Sequence, residues 1–205
     1  QDNKGGYIAS EDDIAMPSKD LARVVLADIY MYQGNYVAAK SLLEEIVNGS
    51  RYSLSATLNG LGENDAEIIW SMPTTNSGGG ITRAAAIDYD APYTIIKTYS
   101  DVLLSLAECQ SKLGNNTKAN ENVSQVKSTK GIETTSPDVI TSISEVRSKI
   151  QIDFGGYFAF LKRTGLAQST LELEEYQLLF PIPQSEIDMN PAMTQNPGYG
   201  GSVTR

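Results

Sequence analysis

Residues 26–39, LADIYMYQGNYVAA, and residues 106–119, LAECQSKLGNNTKA, are two copies of one pattern displaced by 80 positions. At that offset Leu26 meets Leu106, Ala27 meets Ala107, Gly34 meets Gly114, Asn35 meets Asn115 and Ala39 meets Ala119. In each copy a Gly-Asn pair separates two helix-period runs, the signature of an αα-hairpin. Pro17 and Ser18 supply a start signal for the first run, in which Leu21, Val25, Ile29 and Tyr32 recur at spacings of four, four and three. These four residues predict the buried face of a helix reaching about Gln33. Tyr36, Ala39, Leu43 and Ile46 predict its partner, ending at Gly49. The second copy is expected to begin near Tyr93. It carries Leu103, Leu106, Ala107 and Leu113, then Ala119, Val123 and Val126 after the turn, and closes at Gly131.

Small residues at fixed places in a helix pair resemble the tetratricopeptide pattern, but an offset of 80 exceeds that repeat's period of roughly 34 residues. Something is inserted between the copies. The insert, residues 51–92, contains the apolar run Ile68-Ile69-Trp70 with Met72, expected as a buried strand in which Trp70 packs in the core. Gly78 to Gly80 mark a loop, and Asp88-Tyr89-Asp90 leads through Pro92 into the second hairpin. Downstream, Ser144 is expected to cap a helix from Glu145 to about Phe154, with Gly155-Gly156 breaking it and an apolar pattern resuming up to Gly165. From Tyr176 onward, Pro181, Pro183, Pro191 and Pro197 forbid long helices and predict an extended, surface-hugging tail.

Composition narrows the chemistry. The 205 residues carry 16 Lys plus Arg against 25 Asp plus Glu, a net charge of −9, which argues against a nucleic-acid backbone as partner. The sequence contains no histidine and one cysteine, Cys109, so triads built on histidine, disulfide frameworks and thiolate metal clusters are ruled out. Cys109 reads as a small buried hydrophobe. The glycine-broken apolar stretch 154–161 falls far short of the roughly 20 residues a membrane helix needs. The chain opens on Gln1 with no basic-then-apolar leader, so any anchor is expected upstream.

The tail is the most specific segment. Leu178-Leu179-Phe180-Pro181-Ile182-Pro183-Gln184-Ser185-Glu186-Ile187-Asp188-Met189-Asn190-Pro191, followed by Thr194-Gln195-Asn196-Pro197-Gly198-Tyr199, resembles the C-terminal signature of the SusD/RagB family. Pro17-Ser18-Lys19, Gly34-Asn35-Tyr36, Arg51-Tyr52-Ser53-Leu54, Glu67-Ile68-Ile69-Trp70, Val102-Leu103-Leu104 and Val126-Lys127 agree in order. Near Gly165 the chain keeps Leu161-Lys162-Arg163 but has Phe154 and Phe160 where the family usually carries acidic residues. The resemblance implies a single mostly α-helical SusD-like domain over residues 1–205. Its parts would be tetratricopeptide-like helical hairpins at about 17–49 and 93–131, an irregular, β-containing insert and C-terminal helices with a Pro-rich tail. It further implies non-catalytic capture of an oligosaccharide at the bacterial outer surface and delivery to a SusC-like TonB-dependent transporter. Membrane attachment would be only through a lipid anchor, and no cofactor or metal is expected.

A glycan site needs aromatic platforms beside amide, carboxylate or guanidinium groups, because sugars present apolar C–H faces rimmed by hydroxyls. The loop from Thr74 to Tyr93 supplies that mixture in Asn76, Arg83, Asp88, Tyr89 and Tyr93, with glycines that admit close backbone approach. Tyr30, Tyr32, Tyr36 and Tyr99 instead fall on hairpin positions and read as half-buried helix residues. Asp88 and Asp90 raise a hydrolase reading, but acid and base must flank a glycosidic bond from different sides, and two residues on one extended segment do not. A protein-binding scaffold without sugar binding is the other alternative. Glu172, Glu174 and Glu175 lack a calcium-loop pattern and read as a solvated face. Ser77 to Gly80 lack the Lys-Ser or Lys-Thr of a phosphate cradle.

Overall fold

The computed structural model describes residues 18–58, 61–62, 65–73, 93–150 and 156–199, with backbone alone at 72–73 and 93–94. The expected hairpins are both present. Helix α1 (Lys19–Tyr32) turns into α2 (Tyr36–Asn48), and α3 (Tyr99–Lys112) turns into α4 (Asn116–Lys130). The two turns are built alike. Gly34 and Gly114 take φ of +74° and +82°, the left-handed region that a Cβ disfavours. Asn35 and Asn115 then accept from the backbone N–H of Ala38 and Lys118, each at 3.2 Å, and cap the second helix. Ala27, Ala39, Ala107 and Ala119 are all completely buried, which lets each helix pair approach closely.

The buried face of α1 differs from the expected one. Leu21 is buried as anticipated, but its companions are Val24, Ala27 and Met31, while Val25, Ile29 (48% exposed) and Tyr32 (58% exposed) face outward. The helix carries two apolar stripes, and the one containing Ala27 faces α2 because only a methyl-sized residue permits the close crossing. Leu113 is likewise exposed at the end of α3. Helix α3 is buried on every side, packed against α2, α4 and α5 (Val139–Arg147). A helix covered all round must satisfy its polar groups internally. Accordingly Asp101 pairs with Arg147 of α5 at 3.2 Å, and Arg147 also donates to Ser105 at 3.0 Å.

Between the hairpins lies a two-stranded antiparallel ribbon, β1 (Ile68–Pro73) and β2 (Tyr93–Thr98), running from Ile68 opposite Thr98 to Pro73 opposite Tyr93, with the register shifting on either side of Trp70. β1 is the expected strand, although Trp70 is half-buried rather than a core residue. β2 departs from the expectation that the second hairpin begins near Tyr93. The run Thr94-Ile95-Ile96-Lys97-Thr98 is rich in β-branched residues and pairs with β1. The helix begins only at Tyr99, where Thr98 and Asp101 form a reciprocal capping box.

The cap of α5 is Asp138, whose carboxylate accepts from the Thr141 N–H at 2.8 Å. Ser144, expected to cap, lies inside that helix, which ends at Arg147. The stronger Asx signal sits directly after Pro137 and at the true start of the apolar run. Gly156, expected as a breaker, opens α6 (Gly156–Thr164), which stops at Gly165 with φ +78°.

By its contacts the chain divides into one compact unit ending at Tyr157 and a second from Phe158 onward. The second holds most of α6, α7 (Ala167–Leu171), a 3-10 turn (Glu175–Leu178) and α8 (Gln184–Met189). From Tyr176 the prolines permit no long helix, but the tail is not extended throughout as expected, since the 3-10 turn reaches Leu178 and α8 starts directly after Pro183.

Candidate functional site

The candidate sugar-binding loop is carried by the ribbon. Pro73 and Tyr93 are paired across β1 and β2, so the residues between them leave and return at neighbouring points. Asn76, Arg83, Asp88 and Tyr89 lie outside the described residues, as does Asp90. Tyr93 is placed by its backbone, at the first position of β2.

The base of the ribbon is anchored by a buried ionic network. Glu67, immediately before β1, is 1% exposed, and its carboxylate accepts from the Lys130 ammonium at 3.0 Å, the Ser55 N–H at 2.8 Å and the Ser100 hydroxyl. Lys130 directs its other two N–H bonds to the carbonyls of Ser55, at 3.1 Å, and Thr57, at 2.9 Å. A buried charge is tolerated only when paired and fully hydrogen-bonded, and here the ammonium uses all three donors. The Glu67 carbonyl also accepts from the Tyr99 N–H at 2.8 Å, and Lys97 of β2 reaches Asp28 of α1 at 3.0 Å. The ribbon is therefore tied to α1, α3, α4 and the segment after α2.

A second network ties that segment to α1. Asp20, buried in the first turn, accepts from Arg23 at 2.7 Å, Arg51 at 3.0 Å and the Tyr52 hydroxyl at 3.3 Å, while Arg23 also reaches Glu45 of α2 at 2.7 Å. Burial, and next the Asp20 charge, push the Tyr52 phenol well above its ordinary range. Burial alone raises Tyr99, whose ring stacks on Tyr52 with centroids 6.2 Å apart. An open cleft of about 380 Å³ is lined by Asp20, Arg23, Glu45, Asn48, Gly49 and Arg51. Its guanidinium and carboxylate groups bind one another, and its chemistry is that of a clamp between the two helices.

These networks give physical content to motifs quoted from the sequence. Arg51-Tyr52 and Glu67-Ile68-Ile69 hold the scaffold, with Ile68 and Ile69 in the core. Asp20, Ser100 and Lys130 carry no signal of their own in the sequence. The available signal was Glu67, a charge heading an apolar run, which calls for a buried partner.

The tail is knitted to itself by its own signature. The Gln195 side chain acts as a mimic of a peptide group, accepting from the Ile182 N–H at 2.7 Å and donating to the Ile182 carbonyl at 2.8 Å. Asn196 donates to the Phe180 carbonyl and the Tyr199 hydroxyl to the Leu179 carbonyl, each at 2.7 Å. Tyr199 meets Tyr176 edge-on, with ring centroids 5.1 Å apart. Gly198 is required twice over: its φ is +86°, and an added Cβ would lie 2.3 Å from the Tyr176 ring.

Of the remaining sequence candidates, Tyr99 is buried, Tyr30 and Tyr36 are half-buried and Tyr32 is exposed. Glu172, Glu174 and Glu175 are exposed, and Cys109 is a buried free thiol. Among the described residues no group of three or more Asp, Glu, Cys or His is placed to hold a metal ion, and no helix is long and apolar enough to cross a membrane.

The architecture of paired helices with a small two-stranded ribbon is shared with solved SusD superfamily structures, so the fold is SusD-like. Residues 155–199 match the family model described as the SusD family. Among solved structures, a SusD superfamily protein from Bacteroides vulgatus is 19% identical with a TM-score of 0.67, over 94% of this chain and 64% of that one. Surface glycan-binding protein A from Bacteroides thetaiotaomicron is 17% identical with a TM-score of 0.67, over 88% of this chain and 64% of that one. The same protein in complex with laminarihexaose matches at 17% identity and a TM-score of 0.64, over 87% of this chain and 64% of that one. The chain thus spans about 64% of the length of these solved proteins. No curated protein sequence matches it.

Proposed function

We propose that this protein captures a glycan non-covalently at the outer surface of a bacterium and delivers it to a SusC-like TonB-dependent transporter. The observation that carries the reading is the shared fold with a surface glycan-binding protein, one of whose structures holds laminarihexaose. The ribbon loop bearing Asn76, Arg83, Asp88, Tyr89 and Tyr93 is the proposed contact region. Tyrosine faces would stack on sugar C–H surfaces, while amide, guanidinium and carboxylate groups bond the hydroxyl rim. The helical hairpins and their buried ion pairs hold the ribbon that presents it. No covalent step is involved, and membrane attachment runs through a lipid anchor alone.

A panel of immobilised oligosaccharides, including β-glucan and α-glucan series, tests the reading. The expected result is retention by one glycan class with no release of reducing sugar on prolonged incubation. Retention by none would overturn glycan capture and favour a protein-binding scaffold. Sugar release abolished by Asp88→Ala would instead make the protein a hydrolase.

A further inference from the structure

We propose that Trp70, rimmed by Lys97 and Asp28 and with Tyr32 close by, is a sugar platform on the shaft of the ribbon, and that its ligand is a neutral glycan. The inference rests on the functional reading above and adds to it a contact site outside the loop. Strand pairing aims the indole ring. From Ile68 opposite Thr98 to Trp70 opposite Lys97 the register advances two residues on β1 against one on β2, and from there to Ser71 opposite Ile95 it advances one against two. An extra residue on one strand bends it and re-aims the side chains beside it. Strict alternation would put Ile68 and Trp70 on one face and Ile69 on the other. Instead Ile68 and Ile69 are both in the core, at 2% and 4% exposure, and Ser71 is buried as well. Trp70, the only tryptophan of the chain, is left part-exposed between buried neighbours. Two irregularities in six residues thus serve to turn one large flat ring outward.

Next to the ring stands an ion pair. Residues directly opposite on antiparallel strands share a face, so Lys97 lies beside Trp70. Lys97 reaches Asp28 of α1 at 3.0 Å, and the Asp28 side chain remains 35% exposed, so its carboxylate can also accept from a ligand hydroxyl. Tyr32 lies one helical turn beyond Asp28 on the same helix face and is 58% exposed. Strand β1, strand β2 and helix α1 therefore bring together two rings, an ammonium and a carboxylate from three separate parts of the sequence. Rings suit the C–H faces of a sugar, and the charged groups suit its hydroxyl rim. Charge selects the class of glycan. Lys97 and Asp28 neutralise one another and the whole chain stands at −9, so a uronate-bearing chain would be repelled, whereas a neutral chain meets no opposing field.

Because Trp70 is the sole tryptophan, its fluorescence reports on this site alone when excited where tyrosine is silent. The full chain is titrated with the oligosaccharide that the panel selects, a polyuronate series being added to that panel, and is followed in parallel by calorimetry and by tryptophan emission with acrylamide as quencher. Wild type is expected to show changed emission and protection from quenching, both saturating with the heat. Trp70→Leu, which keeps an apolar side chain, is expected to bind roughly tenfold more weakly with an unchanged circular dichroism spectrum, and Trp70→Phe to fall between the two. Asp28→Asn is expected to bind roughly threefold more weakly. Saturable heat with emission and quenching unmoved would overturn the inference and leave glycan capture standing, as would wild-type affinity in both Trp70 variants. Should Trp70→Leu fail to fold, Trp70→Phe and the wild-type quenching decide the matter. No heat with any oligosaccharide would overturn glycan capture and this inference with it. Selection of a polyuronate, with every neutral chain giving no heat, would overturn the assignment of ligand class.

Discussion

Replacing Lys130 by Met removes one ammonium while keeping the length of the stem, and the structure sets a large consequence for it. Glu67 would remain 1% exposed with its carboxylate held by the Ser55 N–H and the Ser100 hydroxyl but with no counter-charge, and the carbonyls of Ser55 and Thr57 would each lose a donor. Breaking a buried pair by removing one partner costs about 3–5 kcal/mol. For a chain of this size, where 1 kcal/mol moves the midpoint by roughly 2–4 °C, that corresponds to a fall of about 6–20 °C. The double variant Glu67→Leu/Lys130→Met removes both charges and is expected to be less damaged than the two single losses added together, with a coupling of roughly 1–3 kcal/mol. Urea unfolding followed by circular dichroism measures all four proteins of the cycle. A Lys130→Met loss below about 1 kcal/mol, or strict additivity in the double variant, would refute the claim that this pair anchors the ribbon.

Three further outcomes follow from the geometry. Gly198→Ala places a methyl against the Tyr176 ring at a φ of +86°, so it should destabilise the tail by about 2 kcal/mol or more and raise the rate of proteolytic cleavage after Tyr176, whereas Gly114→Ala, with open space around it, should cost about 1–2 kcal/mol from φ alone. The Tyr52 phenol has a folded pKa raised above its unfolded value, so its contribution is complete below about pH 10, the ordinary tyrosine value, and is lost as pH rises beyond it. Alkaline unfolding should therefore be shallower in Tyr52→Phe than in wild type, and identical slopes above pH 10 would count against the burial argument. Asp138 is held below the usual carboxylate range by the Thr141 N–H first and its hydroxyl next, so its cap is present above the unfolded pKa and lost as pH falls through the lowered folded value. Asp138→Ala should cost about 1 kcal/mol at pH 7, and that cost should shrink steadily as pH falls below the ordinary carboxylate range in denaturant titrations.

The parts of the fold legible in the sequence are those encoded locally. A glycine that must take positive φ, followed by an asparagine that caps, occurs twice at a fixed offset, and the alanines around it mark where helices touch. The parts that were not legible depend on partners far along the chain. Choosing between the two apolar stripes of α1 required α2 to be in place. Asp101 and Arg147 look like surface charges until α3 is seen to be covered on every side, and nothing local marks Lys130 as the partner that Glu67 needs. β2 was hidden because its last residue, Thr98, also caps α3, so strand and helix share one boundary. Ser144 and Asp138 both offer capping oxygens, and only the position of the apolar run relative to each decides between them. The tail was recognisable as a signature, but its logic, with side-chain amides and a tyrosine hydroxyl binding the backbone of Leu179 to Ile182, required coordinates. Of the candidate site, the pairing of Pro73 with Tyr93 establishes where the loop is attached.

Calorimetric titration of the full chain with the oligosaccharide that the panel selects examines the central claim most directly, using wild type beside Arg83→Ala and Tyr89→Ala. The account predicts saturable heat for wild type and at least a tenfold weaker affinity for each variant, with unaltered unfolding midpoints. Equal heats from all three proteins would move the site away from the ribbon loop, and a wild type that gives no heat with any oligosaccharide would contradict sugar capture altogether.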